Sequence, residues 1–310
     1  MMDFLVNWIS NVPGFAVPFA LAALGLILTE KSGVLSLGAE GFMLMGAMAG
    51  VGAVILTGQP ELALLVAALA AAVVSMIFAV LVVTLRVNQV IAGLAMVFLC
   101  QGLTSLIATL EGWTSRAIIG LAKLPIPGLS DIPVIGRIVF QQDIVVYLTV
   151  PIFLAVQWFL TRTETGLKLR AVGENPEAAD SAGINVSLYR TAAIAAGAAL
   201  VGLAGGYLSV AVAKIWVDGM AGGRGWIAIA LVIFARWHPW RALFGAVLFG
   251  SIEALIPRVA AVGIQVPQYF MLMTPYIATL LVMVWAAVRG NVRLDEPGAL
   301  GRPHVREERR

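Results

Sequence analysis

Long apolar runs broken by short polar stretches dominate the chain: about 12–29, 42–57, 61–85, 89–110, 143–160, 191–213, 225–236, 240–256 and 269–288. A helix needs about 20 apolar residues to cross the hydrocarbon layer of a membrane, and most of these runs approach that length. The runs 42–57 and 225–236 are short and are read as broken, re-entrant or sheltered inside the bundle. The predicted fold is all-α, a polytopic membrane helix bundle of about 8–10 transmembrane segments. The short alternating strands that a membrane barrel requires are missing. Residues 1–290 form the membrane domain, and 291–310 a charged, partly disordered tail with no further role.

The most polar internal run is 161–190, TRTETGLKLRAVGENPEAADSAGINVSLYR. It lies between two apolar segments and so belongs in water at one membrane face. Within it, 176–182 is predicted to be a short helix with both ends marked. Asn175 can cap the first free N–H groups, and Pro176 suits the first helical position. Glu177 and Asp180 put negative charge towards the positive end of the helix dipole. Gly183 can take the left-handed conformation that ends a helix. With Ala178 and Ala179 this is a helix of about two turns, too short to stand alone. Such a helix in a loop reads as a plug for a groove on another protein.

Composition agrees with the hydropathy. Of 310 residues, 60% are hydrophobic and 12% charged, about half the charge of a soluble domain. The basic balance is explained by orientation, not by nucleic acid. If 161–190 faces the cytoplasm, fourteen of the twenty Lys and Arg fall inside. The positive-inside rule then predicts N-terminus out and C-terminus in, in a bacterial-type cytoplasmic (inner) membrane. Arg224 and Arg258 count as outer charges on this reading. The N-terminus lacks the basic region and cleavage site of a secretory signal. Cys100, the single cysteine, reads as a small core residue.

The loop 111–142 contains three prolines and four glycines, which exclude a long regular helix. It is predicted to lie on the membrane face, as a connector or as a surface for an extracytoplasmic partner. A Gly-rich stretch, Gly33–Met43, carries Glu40. Two readings stay open for that carboxylate: a polar pathway inside the bundle, or a solvated turn. A second Gly-rich stretch, Gly219–Ala230, also precedes a short apolar helix, as corresponding halves of transporters do. Gln101 is read as a helix–helix hydrogen bond or a contact for a polar solute, and Glu253 as a residue that snorkels at its helix end.

Chemistry is excluded by what is missing. The chain has no phosphate-binding loop of the Gly-x-x-x-x-Gly-Lys-Ser/Thr type. Its two histidines, His238 and His304, form no metal cluster and no Ser-His-acid set. No catalytic residue, metal or cofactor is expected, and the chain reads as a transporter subunit without an ATPase site of its own.

Three motifs carry a resemblance. Glu177-Ala178-Ala179 with Gly183 resembles the cytoplasmic EAA-type loop of ABC-importer permeases. Arg170–Pro176 precedes it, and Gly33–Met43 and Gly222–Gly225 accompany it. Together they resemble the branched-chain amino acid, ribose and nucleoside permease family, of type II importer architecture, and within it the simple sugar or nucleoside permeases. The resemblance covers nearly the whole chain. It implies an ABC ATPase subunit docking on Asn175, Pro176, Glu177, Ala178, Ala179, Asp180 and Gly183. It also implies a second permease subunit, in a homo- or heterodimer, and an extracytoplasmic solute-binding protein, with lipid around the bundle. The solute pathway is assigned to Ser36, Gly38, Glu40, Gly41 and Gln101. The family often has Asn where Ser36 stands, so the solute is not carried over. The alternatives are a branched-chain amino acid ABC permease and an ion-coupled secondary transporter using Glu40.

Overall fold

The computed structural model describes residues 2–261 and 296–304, with isolated helical positions at 273, 277, 280, 281 and 284. The 269–288 segment otherwise lies outside the described residues. In chain order the elements are α1 (Met2–Glu30), α2 (Ala39–Thr57), α3 (Pro60–Ala79), α4 (Gln89–Leu110), β1 (Lys123–Pro125), α5 (Ile135–Val139) and β2 (Gln141–Asp143). There follow α6 (Ile144–Arg162), α7 (Glu164–Glu174), α8 (Pro176–Ser181), α9 (Val186–Tyr207), α10 (Arg224–Ala235) and α11 (Pro239–Ala261). A π-helical turn extends α3 through Val80–Thr84, and another extends α9 through Leu208–Ala213. Among the described residues, seven helices are long and apolar enough to cross a membrane: Phe4–Glu30, Ala39–Thr57, Pro60–Thr84, Gln89–Leu110, Ile144–Arg162, Val186–Ala213 and Pro239–Val259. The expected all-helical membrane bundle is what the chain forms.

Polar residues at the ends of the runs set where the helices start and stop. Asn88 accepts from the N–H groups of Val90 and Ile91, and Asp143 from those of Val145 and Val146. Asn185 accepts from Leu188 N–H to begin α9. Gly58 ends α2 in the left-handed region, its N–H donating to the Val54 carbonyl. Each such cap satisfies donors or acceptors that the helix ends leave open.

The centre of the bundle is the trio α1, α2 and α9, whose side chains are mostly buried, while α3, α4, α6 and α11 surround them and expose apolar flanks. Small residues set the spacing at the centre. A methyl on Gly46 would collide with the Gly202 backbone, one on Gly205 with the Met43 carbonyl, and one on Gly25 with the Gly197 carbonyl. Helices in such contact gain dispersion energy that lipid cannot replace. Ser209 Oγ donates to the Ala47 carbonyl at 2.8 Å, and Thr29 Oγ1 to the Ala193 carbonyl at 3.2 Å, adding polar stitches to the same seams.

One expectation is narrowed and three are corrected. Of the alternatives for the short run 42–57, the structure shows the sheltered one: it belongs to an unbroken 19-residue helix, α2, mostly buried in the bundle; Ala39, Glu40 and Gly41 extend it towards the α1–α2 turn. The other short run does form a 12-residue half-helix, α10, preceded by the non-helical stretch 214–223. Arg224 is no outer-loop charge and Glu253 does not snorkel, because the two pair within the bundle. Residues 296–304 are no loose tail: they lie along the face that carries α8, with Ala299 buried. The loop 111–142 contains the hairpin of β1 and β2 and the five-residue α5. It is anchored by Ser115 N–H to Trp216 O and Ile118 N–H to Lys214 O, with the Trp113 ring against Gly52.

Candidate functional site

Two places in the molecule concentrate polar chemistry. The first is the loop between α6 and α9. Thr163 opens α7, its hydroxyl accepting from Gly166 N–H at 3.0 Å. Asn175 Oδ1 then accepts from Ala178 N–H at 3.0 Å, and Pro176 is the first residue of α8. The helix ends at Ser181, one residue earlier than the sequence indicates, and Ala182 closes it. Gly183 has φ +80°, a conformation that residues with a Cβ rarely take. Buried Ala179 packs with Val172 and Val186 in a small apolar cluster. That cluster holds one side of α8 and leaves Glu177, Ala178, Ser181 and Ala182 exposed.

Beside α8 lies a cleft of about 400 Å³ lined by Arg86, Asp180, Asn185, Ser187 and His304. The His304 imidazole is held below its ordinary pKa, first by partial burial and then by Arg190, against the opposing pull of Asp180 and Glu177. On the outer side of α7, Lys168 pairs with Glu164 at 2.6 Å. Their hydrogen bond and mutual charge raise the amine and lower the carboxyl, at a site open to solvent.

The second place is the junction of the two Gly-rich stretches. Glu40, buried in the first turn of α2, accepts from Gly223 N–H at 2.8 Å through Oε1 and from Gly225 N–H at 2.7 Å through Oε2. A carboxylate thereby closes the N-terminus of α10, where free N–H groups and the helix dipole favour negative charge. Gly225 has to be glycine for this approach, because an added Cβ would collide with the backbone of Glu40. The residue between them, Arg224, meets Glu253 of α11 at 3.1 Å, and also donates through Nη1 to the carbonyls of Met220 and Ala221. Arg224 stands about 18 Å up a 12-residue helix, and Glu253 about 21 Å along α11 from Pro239. Both therefore stand well in from that end of the bundle. The far end of α10 is fastened too: Trp237 Nε1 donates to Glu30 Oε2 at 2.5 Å.

The residues assigned to a solute pathway separate into two groups. Ser36, Gly38, Glu40 and Gly41 lie inside a single chain, with Ser36, Glu40 and Gly41 buried. Gly38 precedes α2 against the Phe42 ring, and Gly41 allows α4 to approach, with Met96 O and Cys100 Cβ about where a Cβ would touch. Gln101 is exposed on α4, and its side chain makes no interhelical hydrogen bond among the described residues. The solvated-turn reading of Glu40 does not hold, since its carboxylate is enclosed and bonded to backbone. The Arg224–Glu253 pair and the Glu40–α10 bond are not foreseen from the sequence. Their signal is present as opposite charges at membrane depth, which are costly unless paired.

A bundle of membrane-length helices with a buried half-helix, and a capped loop helix exposed at one face, defines a polytopic membrane permease. The model of the branched-chain amino acid transport system/permease component family matches residues 8–287, and the chain belongs to that family. Similar proteins include the putative glucose ABC transporter permease protein TsgC13 of Haloferax volcanii, 36% identical over 99% of both chains. The guanosine ABC transporter permease protein NupQ of Bacillus subtilis is 37% identical over 95% of both. The nucleoside ABC transporter permease protein NupC of Lactococcus lactis is 31% identical over 89% of this chain and 90% of its own.

Proposed function

We propose that this chain is the permease subunit of an ATP-driven importer for a nucleoside or a simple sugar, and that it takes its energy from a separate ATPase subunit docked on α8. The observation that carries this reading is the capped helix Pro176–Ser181, held on one side by Ala179 and exposed on the other between two membrane-length helices. An externally driven permease needs a rigid handle of this kind; an ion-coupled carrier does not. The relatives named for guanosine, nucleosides and glucose favour those solutes over branched-chain amino acids. The ion-coupled reading also loses its carboxylate, since both oxygens of Glu40 are committed to backbone N–H groups.

The chain itself does no ATP chemistry in this scheme. Docking uses Glu177, Ala178, Asp180 and Ala182, while Asn175, Pro176 and Gly183 shape the helix that presents them. The solute passes between two permease copies and is delivered by an extracytoplasmic binding protein. A pathway of that kind is lined by residues that one chain leaves exposed, which Gln101 meets. Glu40 serves the pathway indirectly, by holding α10. The α8 face is cytoplasmic, with N-terminus out and C-terminus in.

The test is uptake into proteoliposomes with and without the ATPase subunit, comparing guanosine, glucose and leucine. ATP-dependent uptake of a nucleoside or sugar is expected. Uptake that follows a proton or sodium gradient without any ATPase would defeat the reading.

A further inference from the structure

Residues 298–302 connect parts of the molecule that are distant in sequence. Gly298 N–H donates to Glu174 Oε2 at 3.2 Å. Ala299 N–H donates to the Gly173 carbonyl at 2.9 Å, and Gly301 N–H to the Gly33 carbonyl at 3.2 Å. Arg190 of α9, itself buried, donates through Nη1 to the Arg302 carbonyl at 3.1 Å. Ala299 is 5% exposed, and Leu300 packs against the main core. The segment therefore lies across the C-terminus of α7, the α1–α2 turn and the start of α9. Gly173 and Glu174 immediately precede the cap of α8. Gly33 opens the stretch that leads through Leu35, whose N–H donates to Gln89 Oε1 at 2.7 Å, to Glu40 and the half-helix. The surfaces under the segment are already in backbone contact, since a methyl on Gly173 would collide with the Lys31 carbonyl.

We propose that residues 298–302 are a transmission strap. They bind the foot of the docking helix to the α1–α2 turn, so that a displacement of α8 reaches Glu40 and α10 directly, in parallel with the route through α6 and α9. The inference rests on α8 being the point where the ATPase acts. The strap contributes a main-chain group to all four bonds, two of which run backbone to backbone and two to the side chains of Glu174 and Arg190, so its hold does not depend on the rotamers of its own side chains. A loose tail has no way to carry force; one hydrogen-bonded at Gly173, Glu174, Gly33 and Arg190 passes on a rigid-body shift. Networks of packed and hydrogen-bonded elements carry coupling in this manner when both ends are biased by the same movement.

The experiment compares three complexes reconstituted with the ATPase: the unchanged chain, a chain ending at Asp295, and Ala299→Pro, which deletes one strap donor. Three quantities are read: copurification of the ATPase, ATP hydrolysis, and solute taken up per ATP. Copurification and hydrolysis are expected to persist in both variants, while uptake per ATP falls about tenfold. Uptake per ATP within about twofold of the unchanged complex in the shortened chain would overturn the strap. Loss of the ATPase in proportion to lost uptake would make the segment a docking element instead, and also overturn it. Failure of both variants to accumulate in the membrane would make it a folding element, which overturns the strap as well. If the unchanged complex shows no ATP-dependent uptake, the importer reading fails, an outcome distinct from normal coupling by the shortened chain.

Discussion

Glu40 makes two charge-assisted hydrogen bonds to backbone at the start of a half-helix. An amide offers one acceptor oxygen where the carboxylate offers two, so Glu40→Gln leaves one buried N–H facing a donor. The expected cost is about 1–3 kcal/mol, read as a lower thermal midpoint in detergent, with reduced uptake. Unchanged stability would mean that α10 does not depend on this bond. The Arg224–Glu253 pair makes a sharper forecast. Removing one partner of a fully buried pair strands the other, at about 3–5 kcal/mol, and less is expected here, where the two side chains are 22% and 13% exposed; replacing both by apolar residues is often near neutral. Arg224→Met and Glu253→Leu are each expected to lower membrane accumulation more than the double substitution does. A double variant as damaged as the sum of the singles would deny the coupling. These residues also mark the limit of the sequence. Glu40, Gly223 and Gly225 are recognisable as unusual in an apolar chain, but their contacts span 183 and 185 residues. Only the packing of α2 against α10 creates them.

Short-range features are a different matter, because a helix cap is written within four residues. Asn175, Pro176 and Gly183 place α8 to within one residue, since each acts on its own neighbours. Asn175→Ala is expected to cost about 1 kcal/mol of local helix stability, seen as faster amide exchange across 176–181. Glu177→Arg is expected to leave the bundle intact and weaken copurification of the ATPase; normal association and transport would remove Glu177 from the docking surface. Gly183→Pro is harsher, because proline cannot adopt φ +80°. A pH dependence is expected beside the strap, through His304. Its imidazole pKa is lowered in the fold, so the folded state disfavours the proton. The stabilisation is complete above the ordinary imidazole range and is lost as pH falls through the lowered value. The groups facing His304 are Arg190, Arg86, Asp180 and Glu177. Amide protection at 298–302 is expected to weaken between about pH 8 and pH 5, and protection that rises on acidification would contradict the sign. None of the strap is legible in the sequence: a run of Pro, Gly and Arg looks the same whether it is free or bound by its backbone.

At the scale of the molecule, hydropathy carries most of the fold, because every helix that meets lipid has to be apolar along its length. At α10 it finds the run 225–236 and its shortness but leaves its placement open, since a half-helix enclosed by protein is no longer than a soluble one. The predicted orientation has a direct check. Cysteines placed at exposed Ser187 and Ser115 lie at opposite ends of the bundle, and Cys100 is buried. Labelling of Ser187→Cys from the cytoplasmic side and Ser115→Cys from the other side is expected, and the reverse pattern would invert the topology. The glycine seams joining α1, α2 and α9 have a mechanical consequence. Where backbone rests on backbone there is no side chain to change rotamer, and no slack for one helix to slip along another. Three helices joined in that way turn as a single block. The yielding surfaces of this molecule are then its periphery and its boundary with a second copy, and a passage that opens and closes is expected at that boundary, by one block rocking against another.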